Sequence, residues 1–332
     1  MIRVRKSLFS ALLIIPLFLL VSGCSDLTPP EKTWSLATQG HFDAAISDDG
    51  SMALIASINH GGSVWQLPQY ERIYNWNHKA DGYSLFDHVA ISGNGLYGAT
   101  AEQGSLTLWD TTTGRSINFW ALPADIRDLA FSADGQLLLA GLSNSTAVLI
   151  NTAQGKGVRT FTADDQISSV SLSDDNTLAM AGTRVGSVYL WNISDGDIRG
   201  QWSHDNQIRS TAISPDGRYA FSGAQAGSGV IINITSGELA MSIDINRGGD
   251  IAAATYTTAT CSKDQSLLAT GTSTGKLKLW DLSSKQVVAD WEATKRNAWK
   301  PSGVRLQDIA FVSGGKLRAI ASNGLAYEFS RD

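Results

Sequence analysis

The sequence predicts an all-β fold: a seven-bladed β-propeller with four-stranded antiparallel blades, its ring closed by the N-terminal strand. Three observations predict it. A turn signature recurs seven times, a second signature follows each turn by 15 to 18 residues, and a bulky marker follows the first six of those by 11 residues. A period of roughly 40 residues carrying several short alternating strands is the signature of blades repeated around a ring.

The turns come first in each repeat. They read Ser47-Asp48-Asp49-Gly50, Ser92-Gly93-Asn94-Gly95, Ser132-Ala133-Asp134-Gly135, Ser173-Asp174-Asp175-Asn176, Ser214-Pro215-Asp216-Gly217 and Ser262-Lys263-Asp264-Gln265, with a degenerate copy at Val312-Ser313-Gly314-Gly315. Asp, Asn and Gly supply the geometry of a tight turn between two strands. The second signature reads Val64-Trp65, Leu108-Trp109-Asp110, Leu149-Ile150-Asn151, Leu190-Trp191-Asn192, Ile231-Ile232-Asn233, Leu279-Trp280-Asp281 and Glu328-Phe329. The third marker is Trp76, Trp120, Phe161, Trp202, Ile243 and Trp291. The seventh repeat stops at Leu325 to Phe329, before its own marker. Trp34, ahead of the first repeat, supplies it, so Lys32 to Ala37 is expected to add as the outer strand of the last blade. Closure within one sheet avoids two open blade faces.

Residues 1–23 are expected to be a signal peptide outside the fold. Arg3, Arg5 and Lys6 precede an apolar run from Leu8 to Val21, which is too short to span a bilayer at ~20 residues per helix. The run ends Val21-Ser22-Gly23-Cys24, which resembles a bacterial lipobox. That resemblance implies acylation at Cys24, a tether over residues 24–31 and a propeller over 32–332. It also implies an envelope location, at the outer membrane facing the periplasm, because no aspartate directly follows the cysteine. Several acyl chains at ~0.8 kcal/mol per methylene form a lasting membrane anchor.

The chain has 26 Lys+Arg against 31 Asp+Glu, a net charge of −5, and three of the basic residues lie in the leader, which puts the mature chain at −8. Nucleic acid is therefore not an expected partner, since phosphate binding needs a basic face. The only other cysteine is Cys261, read as a small hydrophobe at the end of a first strand. The fold must then rest on its core, and 43% apolar residues with ten tryptophans supply one.

Trp-Asp closing the third strand and the Ser-x-Asp-Gly turn resemble the WD-repeat family over residues 31–332. The resemblance implies a propeller and an interaction scaffold, without naming a partner. The family's Gly-His survives only at Gly40-His41, and its turn aspartate is replaced at Glu102-Gln103-Gly104, Arg184-Val185-Gly186 and Ser273-Thr274-Gly275. Its hydrogen-bonded His–Ser–Trp–Asp network is therefore not expected here.

No catalytic residue, cofactor or metal site is expected. His41, His60, His78, His88 and His204 share no spacing. Gly271-Thr272-Ser273-Thr274-Gly275 matches a nucleophile elbow in letters, but the repeat frame makes it a hairpin between second and third strands. Asn144, Asn192 and Asn233 match a glycosylation pattern; the last two arise from Asn replacing Asp in the Trp-Asp frame, and none is read as a site. An alternative reading is a propeller enzyme of lactonase or quinoprotein-like type. Asp43, His88, Asp128, Ser169, Ser210, Thr258 and Asp308 start the first strands, and the three aspartates and the histidine among them would bind a cation at the channel mouth.

The spacing from marker to next turn, usually 12, grows to 16, 19 and 21 before Ser92, Ser262 and Val312. The resemblance places these loops on the top face, around the channel mouth. They carry Lys295, Arg296, Trp299, Lys300 and Arg305, then Tyr83 and Phe86, then Arg247. Aromatics among cations form an expected contact surface for an envelope protein partner. Trp299 and Arg296 lie outside the repeat frame, so replacing both is expected to spare folding.

Overall fold

The computed structural model describes residues 28–331 apart from 59–60, 68, 79–81, 246–253 and 298–302. Residues 1–23, expected to be a signal peptide, and Cys24 lie outside the described residues. The first strand, β1 (Lys32–Ser35), is followed by six blades of consecutive strands. Blade 1 is β2 (His41–Ile46), β3 (Met52–Ser57), β4 (Gly61–Gln66) and β5 (Glu71–Trp76). Blade 2 is β6 (His88–Ile91), β7 (Tyr97–Glu102), β8 (Ser105–Asp110) and β9 (Ser116–Ala121). Blade 3 is β10 (Ile126–Phe131), β11 (Leu137–Leu142), β12 (Thr146–Asn151) and β13 (Lys156–Thr162). Blade 4 is β14 (Ile167–Leu172), β15 (Leu178–Thr183), β16 (Ser187–Asn192) and β17 (Ile198–Ser203). Blade 5 is β18 (Ile208–Ile213), β19 (Tyr219–Ala224), β20 (Ser228–Asn233) and β21 (Glu238–Asp244). Blade 6 is β22 (Tyr256–Cys261), β23 (Leu267–Thr272), β24 (Lys276–Asp281) and β25 (Gln286–Glu292). Blade 7 takes β26 (Leu306–Val312), β27 (Lys316–Ala321) and β28 (Leu325–Phe329) from the C-terminal end and β1 from the N-terminal end.

The seven blades form a ring, with first strands innermost and β26 beside β2. The first strands begin at what we term the top face. Antiparallel order then puts the turns after first and third strands on the bottom. The hairpins between second and third strands and the connections between blades lie on top.

The Ser-x-Asp-Gly signature is a hydrogen-bonded device. In six blades the serine hydroxyl donates to the Asp or Asn side chain at 2.6–2.7 Å. The same serine oxygen accepts the N–H at the start of the second strand at 2.9–3.0 Å. The fourth position adopts φ between +61° and +72°, which explains glycine at four of six copies. Asn176 and Gln265 take the same conformation.

The apolar core is divided. Among the described residues, each of the seven seams between adjacent blades holds its own hydrophobic cluster. This follows from sheets buried on both faces, which call for near-continuous apolar second strands such as Leu137–Leu142. The outer markers pin the seams. The indole N–H of Trp76 donates to the Gly114 carbonyl at 3.1 Å, that of Trp120 to Gly155 at 3.0 Å, and that of Trp291 to Ser330 at 3.0 Å. Each acceptor belongs to the next blade.

The expected closure is present. Trp34 pairs with Ala326 just as Trp120 pairs with Leu106. Its ring stacks on Tyr70 of blade 1 at 3.8 Å. Glu328, 5% exposed, gathers Lys32 at 3.5 Å, Lys316 at 3.2 Å and Arg318 at 3.1 Å, and Arg318 also donates to the Gly50 carbonyl of blade 1 at 2.8 Å. Ahead of β1, Thr28 bridges to Trp291 in parallel and its carbonyl accepts the Glu292 N–H at 3.1 Å.

One expectation is corrected. Blade 2 builds a buried His–Thr–Trp chain. The Trp109 indole donates to Thr100 Oγ1 at 2.8 Å, His78 Nε2 lies 2.8 Å from the same oxygen, and His78 Nδ1 lies 3.9 Å from Glu102. Trp202, His204 and Ser222 repeat part of it at the seam of blades 4 and 5, with both rings 2.8 Å from Ser222 Oγ. The histidines come from connecting loops instead of a Gly-His pair. Conversely, His41 is buried, and burial pushes its pKa down to about 4.

Candidate functional site

The central channel encloses a cavity of about 450 Å³, lined by the first strands of all blades. Those strands share an irregularity. The pairing of the first strand with the second skips a residue in six blades: Phe42, Arg127, Ser168, Arg209, Thr257 and Gln307. Each is the extra residue of a β-bulge, and bulges re-aim side chains. All six line the channel.

One residue deeper lies the ring that the sequence singled out. Its aspartates join blades. Asp43 accepts the Ala44 and Val89 N–H groups, both at 3.0 Å. Asp128 accepts Leu129 at 2.9 Å and Val170 at 2.7 Å. Asp308 accepts Ile309 at 2.8 Å and Ile46 at 2.7 Å. In each case the second donor belongs to the next blade. Ser169 does the same by accepting the Thr211 N–H at 3.1 Å. Burial pushes Asp308 up to about 7 and Asp128 up to about 6, the latter against the opposing pull of His88. Burial disfavours charge on His88 too, but Asp43 at 3.8 Å and Asp128 outweigh it, so its pKa is raised. Among the described residues no three His, Cys, Asp or Glu side chains converge as a metal-ligand group.

The two mouths differ in charge. At the bottom, burial raises Asp48 and carries Asp174 up to about 6, with the charge of Lys263 opposing both shifts. Cys261 is half-buried in the channel wall, and burial pushes its thiol up to about 12, so it stays protonated. At the top stand Arg127, Arg209 and Arg305, with Asp87 as the acidic member of that rim. Arg127 lies 3.5 Å from Asp125. Partial desolvation and the nearby charge of Arg305 both weaken the hold of Arg209 on its proton.

The loop residues expected to meet a partner separate into classes. Trp299, Lys300 and Arg247 lie outside the described residues. Lys295, Arg305 and Tyr83 are exposed on the top face. Phe86 is fully buried in the seam between blades 1 and 2, where a Cβ on Gly62 would meet its ring at 3.1 Å. It is core and offers no contact surface. Arg296 is turned onto the ring closure: its guanidinium donates to the Ala37 carbonyl, to the Asn323 carbonyl at 3.1 Å and to Ser35 Oγ at 2.7 Å. The expectation that its replacement spares folding is thereby corrected. Gly271–Gly275 forms the hairpin between β23 and β24, with Ser273 Oγ accepting the Thr255 N–H at 3.1 Å.

The sequence reading missed Arg209 and Arg127 as mouth residues. The signal was there, since both precede by one the ring positions Ser210 and Asp128. The bulge that turns them inward is not visible in a residue pattern. No known protein family matches the chain, and no curated protein does either.

Proposed function

We propose that the protein is a lipid-anchored WD-repeat-type propeller of the bacterial cell envelope, and that it acts as a protein-binding scaffold whose top face meets the partner. The observation that carries this reading is the sorting of polar side chains along the channel. The aspartates of the ring are engaged in joining blades. The top-face cations Arg209, Arg305 and Lys295 ion-pair with no carboxylate among the described residues. Side chains that the fold does not use, gathered beside three enlarged loops, favour recognition over structure. An acidic partner protein suits their charge.

The anchor fits the same reading. With Cys24 acylated, Thr28 lies four residue steps from the lipid-bearing cysteine. Extended, they reach about 13–14 Å. The outer rim where blades 6 and 7 meet would then lie near the bilayer, and the channel mouth would remain open to a partner.

The test is photocrosslinking in cells from single positions on the two faces. Crosslinkers at Tyr83 and Lys295 are expected to capture one discrete protein, and those at Gln154 and Ser236 on the bottom turns are expected not to. Capture confined to the bottom positions would reverse the assignment of faces.

A further inference from the structure

We infer that the top mouth of the channel is an anion site, formed by Arg209 and Arg305 and flanked by Arg127, that receives carboxylate side chains of an acidic peptide segment. The inference rests on the scaffold reading and names the chemistry of the contact.

Three independent features point to it. First, Arg209 and Arg127 are both bulge residues, displayed into the mouth by the same backbone device on blades 5 and 3. Arg305 adjoins the mouth from blade 7, immediately ahead of β26. Second, the charges of Arg209 and Arg305 act on one another across this space, and neither forms an ion pair with a carboxylate among the described residues. Two like charges that repel without a counter-charge work against folding. An arrangement that lowers stability marks a place where function sets the residue choice. Third, the mouth opens into a cavity of about 450 Å³, room for side chains and for the fork of donors that a guanidinium offers a carboxylate.

The layer beneath selects among anions. Asp43, Asp128 and Asp308 lie one residue further along their strands, so a compact multiply charged anion would meet carboxylates as it entered. An acidic peptide brings single charges on side chains, and its own amide N–H groups can donate to that carboxylate layer. Exposed Lys295 continues the cationic sector outward from blade 7, which suits a segment longer than one residue.

The test uses the full chain and two probes, a hexaglutamate peptide and inorganic phosphate, measured by calorimetry at low salt. Arg209→Gln and Arg305→Gln are each expected to weaken hexaglutamate about tenfold, the loss of roughly one charge-assisted hydrogen bond, and the double variant to abolish binding. Hexaglutamate is expected to raise the Tm of the wild-type chain and not that of the double variant. Without peptide, the double variant should melt no lower than wild type, because a repulsion is removed. Phosphate binding that needs both arginines while hexaglutamate fails to bind would overturn the peptide assignment. Equal peptide binding by wild type and double variant, or none by wild type, would overturn the site. In those cases the crosslinking from Tyr83 and Lys295 still judges the scaffold reading separately.

Discussion

The carboxylate of Asp128 on blade 3 accepts the backbone N–H of Val170 on blade 4 at 2.7 Å, and its other oxygen accepts Leu129 at 2.9 Å. One short side chain thus satisfies two backbone donors and ties two innermost strands together. A buried donor left without a partner costs about 1–3 kcal/mol. Asp128→Ala should lower the unfolding free energy by about 2–3 kcal/mol, and Asp128→Asn, which keeps one acceptor oxygen, by roughly half as much. Urea titration measures both. An alanine variant within about 0.5 kcal/mol of wild type, the range of a neutral surface change, would contradict the joint.

Asp308 makes the matching joint from blade 7 to blade 1, and burial lifts its pKa to about 7. Its folded pKa exceeds its unfolded value, so the native state binds the extra proton. The stability this contributes is complete below the unfolded pKa and is lost as pH rises toward 7. The Tm of wild type relative to Asp308→Asn should therefore fall as pH is raised from about 4 to about 8. A difference that stays constant, or grows with pH, would show that Asp308 is not desolvated as described.

Glu328 titrates in the opposite sense. Burial alone would raise its pKa, but Lys316 and Arg318 hold it below the usual carboxylate range. Its contribution to ring closure is present above the unfolded pKa and is lost as pH falls through the lowered folded value. Arg318→Ala should cost about 1–3 kcal/mol at neutral pH, since it takes two donors from a buried carboxylate that keeps Lys316. Removing residues 28–35 should lower Tm more than any single change at this joint. An unchanged Tm after that deletion would mean that β1 does not close the ring.

Arg296 latches the chain leaving β1 to the hairpin of blade 7 through Ala37, Ser35 and Asn323. Arg296→Ala should destabilise by about 1–3 kcal/mol. Arg296→Lys should recover little, because an ammonium cannot match a planar fork of donors. Full rescue by lysine would point to charge alone.

Thr100 serves both the Trp109 indole and His78 in blade 2. Thr100→Val keeps the shape and removes the shared oxygen. It should cost about 1–3 kcal/mol, whereas the same exchange at exposed Thr113 should cost less than about 0.5 kcal/mol. Similar urea midpoints for the two variants would argue against the network.

The repeat frame was legible because turns and strands are local. Ser132, Asp134 and Gly135 carry their geometry within four residues, and Trp34 stood out as the marker missing after Phe329. What escaped the sequence depends on contacts across seams. His78 joins a network with Trp109 from a loop outside the spacing that defines the blades. Phe86 reads as a loop aromatic and is core, because Gly62 leaves room for its ring. Arg296 lacks periodicity and so looked available, yet the closure strand fills its donors. Arg209 and Arg305 line one mouth from blades 5 and 7, an arrangement that no linear pattern encodes.

The most direct measurement of the central claim is amide hydrogen exchange of the full chain, alone and with the partner captured from the top face. The account predicts slowed exchange at residues 83–87, 125–128, 207–210 and 293–297, with the bottom turns around Asp134, Asn176 and Asp264 unchanged. Protection confined to the bottom turns, with the top face exchanging as in the free chain, would contradict it.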